Sequence, residues 1–184
     1  ADPFGGLEDL EARVLRAVGD PVARFSEDGL RILRGARFAA TLDFEVEPET
    51  EAAFRPTLDV FRRVSAERVR EEWIKAMKAR HPSRAFAVMR RTGILDVTFP
   101  ELAALPDGVA GQGFALALEA CDCAESEPIA RHAALFAPLG RPAGGTTEAL
   151  IEAADSAAER VDRFLRAYRY SNDERGAIVH VVRH

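Results

Sequence analysis

Apolar residues recur along most of this chain near the 3.6-residue period of an α-helix, and only briefly in the alternation of a strand. In "GGLEDLEARVLRAVGD" Leu7, Leu10, Val14, Leu15 and Val18 keep that period, which predicts a first helix ended by Gly19. Ser26 is a candidate N-cap for a second helix running to about Thr41, with Glu27 and Asp28 at its positive end. "LDFEVEPET" alternates and stops at Pro48, predicting a short extended connector into a helix with proline at its first position, which Pro56 then interrupts or kinks. Ser65 opens a helix to about Arg80, "HPSRAFAVMRRTG" another closed by Gly93, and the chain changes direction at Pro100. Beyond Gly111 follow "FALALEACDCAES", "EPIARHAALFAPLG", "TTEALIEAADSAAERVDRFLRAYRYS" and a last helix after Asn172. The stretch 137–147, "APLGRPAGGTT", holds two prolines and three glycines and predicts a loop. No fixed-period repeat runs through the chain. The pattern predicts an all-α fold, an elongated helical array with a small helical first part (1–60) and a larger helical body (61–184).

At 184 residues the chain can form a core without disulfides or metal. Its two cysteines, Cys121 and Cys123, match neither a disulfide framework nor a zinc pattern. No apolar run approaches the length of a membrane span and no secretory leader is recognisable, so the expected location is the cytoplasm. The net charge of -5 averages over an uneven chain. Residues 62–91 carry ten Arg or Lys against three Glu, a net of +7 that leaves -12 for the remainder. That basic segment is either a charge-laced solvated face or a surface that steers a polyanion.

On a wheel at about 100° per residue, Glu27, Arg31 and Arg34 share an arc of roughly 60°, with Asp28 at its edge and Arg37 beside Arg34. Ile32, Leu33, Ala36 and Ala40 occupy the opposite side. Two accounts fit this stripe. Glu27 with Arg31 and Asp28 with Arg31 can be exposed helix ion pairs, each worth about 0.2 to 0.5 kcal/mol. Alternatively Asp28 and Arg31 present an acceptor and a fork of donors to the polar edge of a base, while Arg34 or Arg37 meets phosphate.

Other constellations are weaker. Gly5 and Gly6 suit a tight turn before a helix, and neither a dinucleotide fingerprint nor a P-loop is present. His81, His132, His180 and His184 are scattered, no G-x-S-x-G occurs, and the cysteines read as packing residues. No paired D-x-D carboxylates suited to a two-metal site are found.

Taken together, "DPFGGLEDL", "RFSEDGLRILRGARFAATLDFEVEPET", "VSAERVREEW" and "TGILDVTFPEL" resemble the bacterial class II tRNA nucleotidyltransferase and poly(A) polymerase family, in order from the first residue to about residue 105. The E-D-x-L-R-x-x-R-x-x-R-F run is the most specific part. The resemblance implies a helical neck (1–60, with a nucleotide-recognition helix at 27–41) followed by a helical body (61–184) that binds RNA in its first part. It implies that Asp28 and Arg31 pair with the Watson–Crick edge of CTP or ATP and that Arg34 lies against nucleotide or phosphate. Glu27, Arg37, Glu67 and Arg68 would support that pocket. Arg62, Arg63, Arg70, Lys75, Lys78, Arg80, Arg84, Arg90 and Arg91 would lie near the phosphates of the tRNA acceptor end. Asp2, Gly5, Gly6 and Asp9 would match the hinge between head and neck.

The family's head domain, with its metal-binding carboxylates, has no counterpart in these residues. The resemblance therefore implies that the chain is inactive alone, binds no metal or cofactor by itself, and works with a missing or separate head that brings magnesium with CTP or ATP. In the intact enzyme the RNA 3′ hydroxyl would attack the nucleotide α-phosphate, adding C, A or both, with pyrophosphate leaving. Gly29 stands where relatives commonly carry proline or another residue after E-D. In "ALFAPLGRP", Ala137 and Pro138 occupy positions where many relatives hold an H-D metal pair, so no metal-dependent phosphohydrolase is expected. A noncatalytic helical RNA-binding module and a helical protein-interaction scaffold remain the alternatives.

Overall fold

The computed structural model describes residues 2–107, 113–141 and 144–184. It is built almost wholly of helices, and the chain divides into two compact units, Ala1–Thr98 and Phe99–His184. The division expected after residue 60 falls inside the first unit.

The first unit begins with α1 (Gly6–Ala12), shorter than the apolar period predicts. Arg13 takes a left-handed conformation (φ 56°) and ends the helix, and β1 (Val14–Leu15) then pairs in parallel with β2 (Glu45–Val46). A helical period was available over these residues, but the ladder to β2 and the bond from the Ala17 amide to Thr50 Oγ1 (3.0 Å) prevail. Next comes α2 (Pro21–Glu27), capped by Asp20, whose carboxylate accepts from the Ala23 amide at 2.6 Å, with proline at the first helical position. Ser26 therefore lies inside a helix rather than opening one.

The expected continuous helix over 27–41 is interrupted. Asp28 is extended, and α3 (Leu30–Leu42) starts two residues later. Gly29 explains the break: a Cβ there would lie 2.4 Å from the Phe61 backbone nitrogen, so the passage of residues 60–61 requires glycine. The buried face of α3, including Ile32, Leu33, Ala36 and Ala40, is the one the wheel selects. It packs against α6 (Ala66–Met77) and α7 (Ser83–Thr92). Ala40, Ala76, Ala79 and Ala85 form a cluster of small buried side chains that lets these helices approach closely. Trp73 and Phe86 add an edge-to-face pair at 5.0 Å. Between α3 and α6 run β2, α4 (Pro48–Ala52), a 3-10 turn (Arg55–Thr57) and α5 (Leu58–Phe61), so Pro48 and Pro56 act as the sequence predicts. The unit closes with α8 (Ile94–Thr98), after Gly93 ends α7 at φ 87°.

The second unit comprises α9 (Pro100–Ala103), α10 (Gly113–Cys123), α11 (Pro128–Phe136), a 3-10 turn (Ala137–Gly140), α12 (Thr147–Ala167) and α13 (Asn172–Arg183). Phe99, Phe136 and Phe164 form its aromatic centre, with ring centroids 4.5 to 5.6 Å apart. The predicted loop starts as the 3-10 turn, where Pro138 and Gly140 are buried; Pro142 and Ala143 lie outside the described residues. Ser171 and Glu174 form a reciprocal capping box on α13.

Candidate functional site

The turn between α2 and α3 brings charged side chains from three helices together. One Asp28 carboxylate oxygen accepts from the Leu30 amide at 3.0 Å, which supplies the cap Gly29 cannot give, and the other accepts from Arg68 Nη2 at 2.7 Å. Burial pushes the Asp28 carboxyl up, but the Arg68 bond, the Leu30 amide and the nearby guanidinium charges outweigh it and hold the group below the usual carboxylate range. Asp28 is thus a fixed, ionised acceptor.

Arg31, in the first turn of α3, is held from α2: Nη1 donates to the Arg24 carbonyl at 2.7 Å and to Glu27 Oε2 at 2.5 Å. Arg24 also reaches Glu27, at 2.9 Å. The bond from Arg31 is the main reason Glu27 titrates below its ordinary range. The expected Glu27–Arg31 pair forms across the helix break, whereas Asp28 pairs with Arg68 instead of Arg31. Arg31 and Arg34 line a surface pocket of about 190 Å³ whose walls include Phe25, Phe38 and Phe54. Gly35 keeps it close-packed, since a Cβ there would meet the Phe54 ring at 2.7 Å.

Glu72, a residue the sequence pattern alone does not single out, joins α6 to α3. Only 3% of its side chain is exposed, and it accepts from Arg37 Nε at 2.5 Å and Lys75 Nζ at 3.0 Å, with Arg34 Nε at 3.9 Å. Burial pushes its carboxyl up; the bonds from Lys75 and Arg37 and their charges outweigh that and hold it low. Arg37 therefore faces Glu72, with its guanidinium carbon 4.0 Å from the Phe38 ring centroid. A signal for Glu72 existed: it lies in the buried stripe Val69, Trp73 and Ala76, where a carboxylate needs a partner.

The basic segment is divided in its environment. Arg84 pairs with Glu45 (2.6 Å) and Asp43, Arg91 with Glu51 (2.6 Å), and Lys75 with Glu72. Arg62 is 3.7 Å from Asp59. Glu67, Arg70 and Arg90 are also engaged within the chain. Arg63, Lys78 and Arg80 are exposed and make no ion pair among the described residues.

In the N-terminal segment, Asp2 accepts from the Leu7 amide at 2.8 Å, Gly5 is left-handed at φ 68°, and Asp9 forms a fork with Arg16 (2.9 and 3.1 Å), which lines the same pocket as Arg31 and Arg34. In the second unit His132 is fully buried, bonded through Nδ1 to the Pro128 carbonyl (2.6 Å) and through Nε2 to the Tyr170 hydroxyl (2.9 Å). Burial pushes its pKa down to about 4, so it is a neutral packing group. Cys121 is buried, with its thiol pushed up to about 12. Among the described residues no three or more His, Cys, Asp or Glu gather in a metal-holding group, and no helix is long and apolar enough to cross a membrane.

Residues 43–105 match a family described as the probable RNA- and SrmB-binding site of polymerase A. The CCA-adding enzyme of Lactobacillus helveticus (strain DPC 4571) is 42% identical over 91 residues, 50% of this chain and 23% of that protein. The multifunctional CCA protein of Chromobacterium violaceum is 47% identical over 106 residues, 56% of this chain and 25% of that protein. The matches thus span about a quarter of these relatives. The Bacillus stearothermophilus CCA-adding enzyme, solved in complex with CTP, shares the fold over 100% of this chain and 52% of its own, at 27% identity and a TM-score of 0.53. The likeness in fold therefore extends through the second unit, past the stretch that carries the resemblance in sequence.

Proposed function

We propose that the chain is a partial neck-and-body region of the tRNA nucleotidyltransferase and poly(A) polymerase family, as its matches to CCA-adding enzymes support, and that it selects CTP or ATP and positions a tRNA 3′ end for C or A addition. Cytosine and adenine each present an exocyclic amine donor beside a ring-nitrogen acceptor; uracil and guanine present a carbonyl beside a ring N–H. A fixed carboxylate acceptor next to a guanidinium donor complements the first pair and opposes the second. Asp28 is that acceptor and Arg31 that donor. The observation that carries this reading is their immobilisation: Asp28 is held by Arg68 and the Leu30 amide, Arg31 by Glu27 and the Arg24 carbonyl. Pre-oriented groups discriminate at low entropic cost.

Arg34, exposed and beside Arg31 on the pocket wall, meets nucleotide phosphate in this proposal, while Glu72 and Arg37 brace the helix beneath it. Arg63, Lys78 and Arg80 supply uncompensated charge for RNA phosphates, and the paired cations Arg84 and Arg91 contribute less. Catalytic carboxylates and magnesium come with a head domain outside these residues, so no metal step is assigned to this chain. The test supplies a nucleotidyltransferase head and measures binding of the four nucleoside triphosphates. CTP or ATP binds in preference to GTP and UTP, and Asp28→Ala or Arg31→Ala erases the preference; a preference untouched by either substitution overturns the reading.

A further inference from the structure

Among the clusters outside the Asp28–Arg31 site, one combines a cavity with an uncompensated cation. A surface pocket of about 410 Å³ lies where α4 and the first 3-10 turn meet the end of α7. Two arginines and one carboxylate line it: Arg55, Arg91 and Glu51. Arg91 and Glu51 are matched to each other through two parallel bonds, Nε to Oε1 at 2.7 Å and Nη2 to Oε2 at 2.6 Å. That fork-to-fork pairing cancels both charges and fixes the wall. Arg55 is left over. Its Nη2 donates to the Arg91 carbonyl at 3.3 Å, and among the described residues no carboxylate pairs with it.

The surroundings keep this guanidinium in place without consuming it. Gly93 packs against it so closely that an added Cβ would stand 3.3 Å from Nη1. At the end of α7, Arg55 occupies the Arg91 carbonyl and the Gly93 amide occupies that of Arg90. The result is a polar recess with a net charge of +1 and a planar fork of donors, the geometry that recognises a phosphate group.

We propose that this recess is a phosphate subsite in which Arg55 grips one phosphodiester of a bound RNA. A free phosphate or pyrophosphate has the same chemistry. RNA is favoured because every residue lining the pocket falls within residues 43–105, the stretch that matches the RNA-binding family description. The inference rests on RNA being a partner of this chain, as proposed above, and adds a contact outside the basic segment 62–91, with Arg91 as wall rather than grip.

The experiment measures binding of a labelled RNA minihelix carrying a tRNA acceptor stem to the 184-residue chain and to Arg55→Gln and Glu51→Gln over a series of salt concentrations. Circular dichroism monitors the fold. Arg55→Gln weakens binding roughly tenfold and makes the log–log salt slope shallower by about one. Glu51→Gln frees the Arg91 fork, so binding tightens and the slope steepens. A folded Arg55→Gln chain with unchanged affinity and slope overturns the inference. Should Arg55→Gln fail to fold, unchanged binding by Glu51→Gln overturns it. Inorganic pyrophosphate that binds in an Arg55-dependent way while RNA affinity ignores Arg55 also overturns it, by assigning the recess to a free phosphate. Absence of RNA binding by the unsubstituted chain overturns the parent reading and this inference with it, whereas binding that Arg55→Gln leaves untouched overturns this inference alone.

Discussion

Arg68 Nη2 donates to Asp28 Oδ2 at 2.7 Å, joining the first turn of α6 to the turn that opens α3 across forty residues of chain. The carboxylate's other oxygen is held by the Leu30 amide, so both ends of the acceptor are fixed before any ligand arrives. Arg68→Ala is therefore expected to lower discrimination between CTP or ATP and the other triphosphates about tenfold in a head-supplied enzyme. RNA affinity should change far less, and Arg68→Lys should restore part of the discrimination by returning a donor without the fork. Competition binding of the four nucleotides reads this out; equal discrimination in Arg68→Ala contradicts the positioning role.

Glu72 holds α3 to α6 from a nearly closed environment. Removing its charge strands Arg37, whose side chain is only 11% exposed, so Glu72→Ala should destabilise the first unit by about 3 kcal/mol in denaturant unfolding. The sign with pH follows from its lowered carboxyl: the folded state binds its proton less readily than the unfolded chain. The stability contributed is present above the ordinary carboxylate range and is lost as pH falls from that range through the lowered folded value. A Glu72→Gln chain should accordingly lose less stability on acidification than the unsubstituted one.

Gly29→Ala should cost about 1 to 3 kcal/mol by overpacking against the backbone of Val60 and Phe61, despite the higher helix propensity of alanine. Thermal unfolding of the two chains checks this. A neutral or stabilising effect contradicts the close approach.

His132 makes the second unit sensitive to mild acid. Its folded pKa of about 4 lies below the usual 6.5 because burial disfavours the charged ring, so the unfolded chain takes up the proton first. Stability should fall as pH drops from about 6.5 towards 4, by up to about 3 kcal/mol at one proton per molecule. Unfolding free energies for the unsubstituted chain and His132→Gln across this window should show a shallower slope in the variant.

Much of this architecture was legible in local signals. The apolar side of α3, the proline that opens α4, the glycine that closes α7 and the all-helical class follow from period and caps. What local signals missed depended on distant chain. Val14 and Leu15 left the helix for a ladder with residues 45 and 46, and Gly29 broke a helix because residues 60–61 pass against it. Asp20 followed by Pro21 is a readable local helix start, and the helix begins there, ahead of Ser26. In the site, Glu27–Arg31 was a local pair and was found; Asp28–Arg68 and Arg37–Glu72 join residues forty and thirty-five apart, beyond the reach of a helical wheel.

Whether Asp28 and Arg31 choose the base is read out most directly by single-nucleotide incorporation onto a tRNA 3′ end in a head-supplied enzyme, comparing the unsubstituted chain with Asp28→Ala and Arg31→Ala. The unsubstituted chain is expected to use CTP or ATP at least about a hundredfold better than GTP and UTP, and either substitution to collapse this ratio to below about tenfold while the RNA is still bound. Selectivity that survives both substitutions contradicts that role.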